Sequence, residues 1–325
     1  MKGKQPLDQT NGNVANTINH TAKVLKNSKL EGSILERLYT FSSSIPDFRR
    51  TEKGNIRHKL SDVIMLLILG RISNCVSRAE IIEFGKHNLK SFRKLEILAN
   101  GIPSEATLCR MEEGIDDQAM ANQLQVFAEA FHKELLGMCC AQEIICIDGK
   151  AERGTVLKNG RTPDIVSAHS FNTDITLATE VCEEKSNEIK AVPLLIDKID
   201  ISGKIVTADA MSMQKDIIDK IREKNGDFLI ELKSNQRSLR YGIEDKIKER
   251  SPIYSYYDKP ELGHGRIETR SYRVFDGTDL IANKEKWNDN LTIIEYECQT
   301  VKKSTGSCTT EKRLHVSSRQ RTLQD

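Results

Sequence analysis

Glu143-Ile144-Ile145-Cys146-Ile147-Asp148 is the stretch that decides the fold. It is brief, apolar and β-branched, and it ends on an acid. That pattern predicts a buried strand carrying a carboxylate to its end. Downstream, Ile205-Val206-Thr207-Ala208-Asp209 repeats it. Between the two, Ile165–Ala168 and Thr176–Val181 read as strands and Ala191–Ile199 as a helix. Beyond them come a helix over Ser212–Lys224, a strand over Asp227–Leu232, and strand patterns at Ile267–Phe275 and Leu291–Thr300. This alternation predicts an α/β fold, a mixed sheet flanked by helices.

Upstream the periodicity is helical. Ile34, Leu35, Leu38 and Phe41 share one side of a first helix, which Pro46 closes. Ser61 to about Cys75 predicts a strongly apolar helix with Ser61 as N-cap. Further helices are expected over Arg78–Asn88, from Pro103 and Ser104, and over Asp116–Met138. Residues 1–30 are rich in Asn, Gln, Thr and Lys and predict a flexible segment. The expected organisation is therefore a flexible 1–30, an all-helical domain over 31–140 and an α/β domain over 141–325.

A formal net charge of +2 excludes any conclusion about nucleic acid from overall charge, so only a local basic face could supply one. Arg49, Arg50, Lys53, Arg57, His58 and Lys59 form the densest basic stretch, open to either DNA-backbone contact or a solvated loop. None of the eight cysteines forms a C-x-x-C pair, and Cys139, Cys140 and Cys146 sit in apolar runs, as expected of buried thiols in a reducing cytoplasm. Met1–Thr40 lacks the apolar core of a secretory signal, and Val63–Gly70 is too short to span a bilayer. The expected setting is cytoplasmic, away from membranes.

Asp148 and Asp209 carry the chemistry. Ligands of open α/β sheets bind beyond the carboxyl ends of the strands, so two acids 61 positions apart could share one cavity. Hard oxygen ligands suit Mg²⁺ or Mn²⁺. Two such ions roughly 4 Å apart can activate a water or 3′-hydroxyl against a phosphodiester. Acids at strand ends also serve simply as turn formers, and the residues alone leave that alternative open. His169 reads as a satisfied histidine. The cluster of Tyr254, Tyr256 and Tyr257 beside Arg250 and Lys259 suits either stacking on unpaired bases or a loop packed on the core.

The blocks I-D-G-K, V-S-A-H, E-E-K-S-N-E-I-K-A-V-P-L-L, I-V-T-A-D-A-M-S-M-Q, L-K-S-N-Q and H-G-R-I-E-T-R follow one another over residues 147–270. Upstream stand I-P-D-F-R-R, R-H-K-L-S-D-V-I and G-I-P-S-E-A-T-L-C-R. In this order they resemble the ISAs-type insertion-sequence DDE transposases, including the H-repeat-associated proteins of enteric bacteria, over roughly residues 35–320. The resemblance implies an RNase H-like catalytic domain, a DNA transposase activity that cuts and joins strands at element ends, and Mg²⁺ or Mn²⁺ as cofactor. It implies Asp148 and Asp209 as catalytic, metal-holding acids. DNA contact is implied for Lys233, Asn235, Gln236, His264 and Arg266. Lys150, two residues past Asp148, suits by its position either a point charge on a scissile phosphate or a solvated lysine. The implied partners are the terminal inverted repeats of the element and further copies of the chain, as a homo-oligomer on DNA. The family's third acid, a Glu, belongs to a late helix of H-W-x-x-E-N-x-L-H-W type that follows a segment matched by Arg313–Ser318. The sequence reaches Asp325 without that helix, so the catalytic domain is expected to be incomplete at its C-terminal end, with Glu268 as the candidate substitute. Two further expectations compete with the enzyme: a catalytically defective relative that only binds DNA or assembles with intact transposase, and a metal-dependent nuclease with another target.

Overall fold

The computed structural model describes residues 34–50, 56–137, 142–152, 160, 162–182, 188–278, 280–281 and 291–319. The expectations for residues 1–30, and those on Lys53, Cys139, Cys140 and Lys185, lie outside them. The chain divides into two compact units, Met1–Glu134 and Leu135–Asp325.

The first unit is built on helices α1 (Ile34–Ser44), α2 (Leu60–Ile72), α3 (Arg78–Lys94), α4 (Glu105–Gly114) and α5 (Asp117–Leu136). Helix α2 is apolar nearly all round, which marks a central helix. Its Val63, Met65 and Leu66 pack with Ile81 and Phe84 of α3 and Leu108 of α4. On another side, Leu60 and Ile64 meet Phe41 of α1 and Phe127 of α5. The expected Ser61 cap is not formed: α2 begins one residue earlier, and Lys59 stands at the N-cap without a side-chain bond. Leu60 is buried, so burial of the first apolar residue rather than capping sets this helix start. Helix α3 has the stronger start, a capping box between Ser77 and Glu80. Ser104 caps α4. The buried Asp62 accepts the Leu98 backbone N–H at 2.9 Å and ties α2 to the turn after α3.

The second unit holds a ten-stranded sheet. Strands β1 (Ile144–Ala151), β2 (Asp164–Ser170), β3 (Ile175–Val181), β4 (Ile205–Ala208) and β5 (Asp227–Leu232) are joined by β6 (Tyr254–Tyr257), β7 (Glu261–Gly263), β8 (Arg266–Asp276), β9 (Thr292–Lys302) and β10 (Cys308–Ser317). Their order is β3-β2-β1-β4-β5-β10-β9-β8-β6, with β7 paired to β8. Strand β1 runs antiparallel to β2 and parallel to β4, and β4 runs parallel to β5. This is the mixed, RNase H-like sheet expected. Its crossovers are α6 (Glu188–Lys198) between β3 and β4, and α7 (Lys215–Glu223) between β4 and β5. Helix α8 (Arg237–Ile247) follows β5.

All three helices join one core. Leu195 and Ile196 of α6, Ile217 and Ile221 of α7, and Ile243 of α8 pack with Ile145, Val206, Phe228, Ile230, Phe275, Ile293 and Val316 of the sheet. The strand residues of this cluster alternate with others, such as Cys146, Asp148, Thr207, Glu231 and His315, which are half-buried or exposed. One face is thus covered by helices, and the other carries the polar set. The tyrosine cluster forms edge strand β6 rather than a loop on the core, and Tyr254, Tyr256 and Tyr257 are exposed.

Two predictions follow from this burial. Phe228 is fully buried. Phe228→Ala is expected to cost about 3–5 kcal/mol, seen as a lower urea midpoint for the sheet unit. Burial also pushes the His315 imidazole below the usual histidine range. A histidine held neutral in the folded state contributes stability that is full above the unfolded pKa of about 6.5 and lost as pH falls below it. Thermal midpoints between pH 8 and pH 5 should decline on the acid side, and His315→Gln should flatten the decline.

Candidate active site

Strands β1 and β4 pair in parallel, with Ile147 opposite Ala208. One step further along each strand stand Asp148 and Asp209, side by side on neighbouring strands and on the same face. The strand spacing sets their backbones about 5 Å apart. The face is the one away from the helices, and both residues are exposed. Among the described residues the Asp148 carboxylate has no hydrogen bond or ion pair, which leaves its oxygens free to take a ligand.

Asp209 is held more tightly. Its Oδ1 accepts the Ala210 N–H at 2.7 Å and so starts the 3₁₀ turn Ala210–Ser212. The Lys233 ammonium lies 3.2 Å from the same oxygen and 3.3 Å from Glu231. Hydrogen bonds from the Lys233 ammonium to Asp209, then Glu231, raise its pKa above the usual lysine value. Lys233 is thus a cation anchored on the acid pair's edge, although at half-exposed positions such contacts hold loosely. Glu231 and His315 are neighbours that sequence reasoning missed. They lie opposite each other in the β5–β10 register, and no sequence signal places β10 beside β5.

Asn235 and Gln236 hold the turn beside Asp209. The Asn235 amide donates to the Ala210 carbonyl at 2.6 Å, and the Gln236 amide to the Met213 carbonyl at 2.8 Å. Both side chains clamp the turn that follows Asp209. Lys150 is exposed two residues beyond Asp148, on the same face. His169 is satisfied, as expected, by Asp174 at 3.1 Å and Thr176 at 3.4 Å.

The structure does not bring Glu268 to the aspartates. It lies on β8, four strands from β4, a distance of roughly 19 Å across the sheet. There it is bound to Arg270 at 2.7 Å, with Arg266 at 3.8 Å. His264 and Gly265, at φ 46° and 76°, form the two-residue hairpin turn between β7 and β8. Glu188 does approach, since a Cβ on Gly149 would fall 2.5 Å from its carboxyl carbon. It reaches Gly149 from the opposite face to Asp148, because successive side chains of a strand alternate. No group of three or more acids, histidines or cysteines suited to a metal occurs among the described residues. Two carboxylates with free positions around them still match a magnesium-type ion, which is commonly held by one or two carboxylates plus waters and substrate phosphates.

The family described as "Transposase DDE domain" matches residues 144–304, and "DDE_Tnp_1-associated" matches residues 40–128. The chain belongs to the DDE transposase family. It is 34% identical to the candidate transposase YncI of Escherichia coli strain K12 over 75% of this chain and 98% of YncI. It is 35% identical to the H repeat-associated candidate transposase YhhI of the same strain, over 75% of this chain and 64% of YhhI. The matched stretch thus spans less than two thirds of YhhI, and 62% of the YncI of Escherichia coli O157:H7. A piggyBac transposase synaptic complex with hairpin DNA aligns at a TM-score of 0.41 with 12% identity, over 89% of this chain and 60% of that chain. No helix among the described residues is long and apolar enough to cross a membrane.

The amide clamp is testable. Asn235→Ala leaves the Ala210 carbonyl without its partner. Hydrogen exchange over residues 210–213 is expected to quicken, with a stability loss of about 1 kcal/mol.

Proposed function

We propose that this chain is a DNA transposase of a bacterial insertion sequence, cutting and transferring strands at element ends with Mg²⁺ or Mn²⁺ held between Asp148 and Asp209. The observation that carries the proposal is the register: two acids from distant sequence stand on adjacent strand ends, on one face, with one of them free of any partner among the described residues. Family membership says what such a pair would act on.

The chain's own residues divide the work. Asp148 and Asp209 supply the anionic oxygens. A divalent cation there supplies charge neutralisation at the scissile phosphate and eases ionisation of the attacking hydroxyl. Asn235 and Gln236 fix the turn that aims Asp209. Lys233 leaves Asp209 for a phosphate oxygen at little cost, because the contact it gives up is half-exposed. Lys150, His264 and Arg266 are proposed as further backbone contacts. The DNA is proposed to be the terminal inverted repeats, bound by a homo-oligomer in the cytoplasm, since holding two ends together takes more than one copy.

A second reading keeps DNA binding and drops the cutting. It is favoured by the absence, among the described residues, of three acids, histidines or cysteines grouped to hold a metal, since the nearby Glu231 is tied to Lys233. Strand cleavage of terminal-repeat DNA in Mg²⁺ or Mn²⁺ separates the two. Loss of a metal's outer partners already costs 10–100-fold, so Asp148→Asn or Asp209→Asn is expected to lower cleavage by more than about 100-fold while DNA stays bound. A wild-type protein that binds the repeats and never cuts them would establish the second reading.

A further inference from the structure

The open face of the sheet carries an ordered row that leads to the acid pair. In register across neighbouring strands stand Tyr256 on β6, Tyr272 on β8, Tyr296 on β9 and Arg313 on β10. Leu314 pairs with Leu232, so Arg313 faces Lys233 one step on, and Lys233 touches Asp209. Register partners share a face, so all of these side chains stand on the side away from the helices.

The ring centroids of Tyr256 and Tyr272 are 6.1 Å apart, and those of Tyr272 and Tyr296 are 5.4 Å apart. The Arg313 guanidinium lies 6.0 Å from the Tyr296 ring centre. Tyr256 is 50% exposed and Tyr272 and Tyr296 are half-buried, so ring surface remains to be covered. A sheet face that presents aromatic rings at strand spacing takes unpaired bases by stacking, while nearby cations take the phosphates. Stacked duplex bases cannot lie on such a row.

We propose that Tyr256, Tyr272, Tyr296, Arg313 and Lys233 form a track for an unpaired DNA strand, with bases on the tyrosines and phosphates on the cations, ending at Asp209. The track rests on the function proposed above, since it delivers the strand to the cutting acids. Arg313 is ion-paired to Glu311 at 2.7 Å, an exposed contact that exchanges for phosphate at little cost.

The test uses the whole protein in metal-free buffer and oligonucleotides carrying 2-aminopurine, either single-stranded or as a blunt duplex. The single strand is expected to bind more tightly, with quenched fluorescence. Tyr296→Leu and Tyr272→Leu should each weaken it about ten-fold and relieve the quenching, whereas the Phe variants should bind as wild type. Leu variants that bind like wild type would overturn the track, as would equal tyrosine dependence for blunt duplex. So would a tyrosine-dependent self-association, which would show the row to be an interface between copies. Cleavage with added Mg²⁺ is read separately. If the protein cuts DNA while the Leu variants bind normally, the track falls and the proposed function stands. If binding depends on the tyrosines but nothing is cut, the track stands and the cutting function falls.

Discussion

Parallel pairing of β1 with β4 is the constraint on which the rest depends. Parallel neighbours cannot be joined by a tight turn, so the chain needs a crossover, here β2, β3 and α6. That crossover separates two acids by 61 positions and then returns them to adjacent strands. Side-chain alternation does the remainder. With Ile145, Ile147, Val206 and Ala208 turned to the helices, Asp148 and Asp209 have to face the other way. A one-residue slip of β4 would send Asp209 into the core. The burial of Val206 and the crowding of Ala208 against the core are therefore what aim the acid.

Much of this was legible in the sequence because it was written in short apolar runs. The runs ending at Asp148 and Asp209, and the stretch Asp227–Leu232, appear as strands at nearly the expected places. The helical periodicity of the first unit holds as well, with α3 running on to Lys94 where Asn88 was expected. The misses share a physical origin. Strand β10 carries Thr, Glu, Lys and Arg on both faces of its outer half, where neither face is buried, so no alternation marks it. Strand β6 is an exposed edge, and its tyrosines read equally well as a loop. Local pattern records burial, and these strands are held by pairing instead.

The site shows the same division. The two acids were readable because each closes a hydrophobic run. What surrounds them was not, since it depends on which strand lies beside which. Glu231 and His315 come together only through the β5–β10 pairing. Glu268 looked like a substitute acid because of its motif, and strand order moves it across the sheet to the arginines. Asn235 and Gln236 read as ligand groups from their motif, and only the fold shows that each also gives an amide N–H to a carbonyl of the Asp209 turn. Backbone carbonyls of a turn need partners, and the nearest polar side chains supply them.

The position of β10 has a consequence for how the protein is made. This strand comes from the far end of the described chain, yet it lies in the middle of the sheet, flanked by β5 and β9. Until residue 317 has left the ribosome, β5 presents an unpaired, apolar edge bearing Phe228, Ile230 and Leu232. Such an edge invites pairing with other chains. The nascent sheet is thus exposed to misassembly for as long as the ribosome takes to translate from β5 to β10, and chaperone shielding would matter most in that interval.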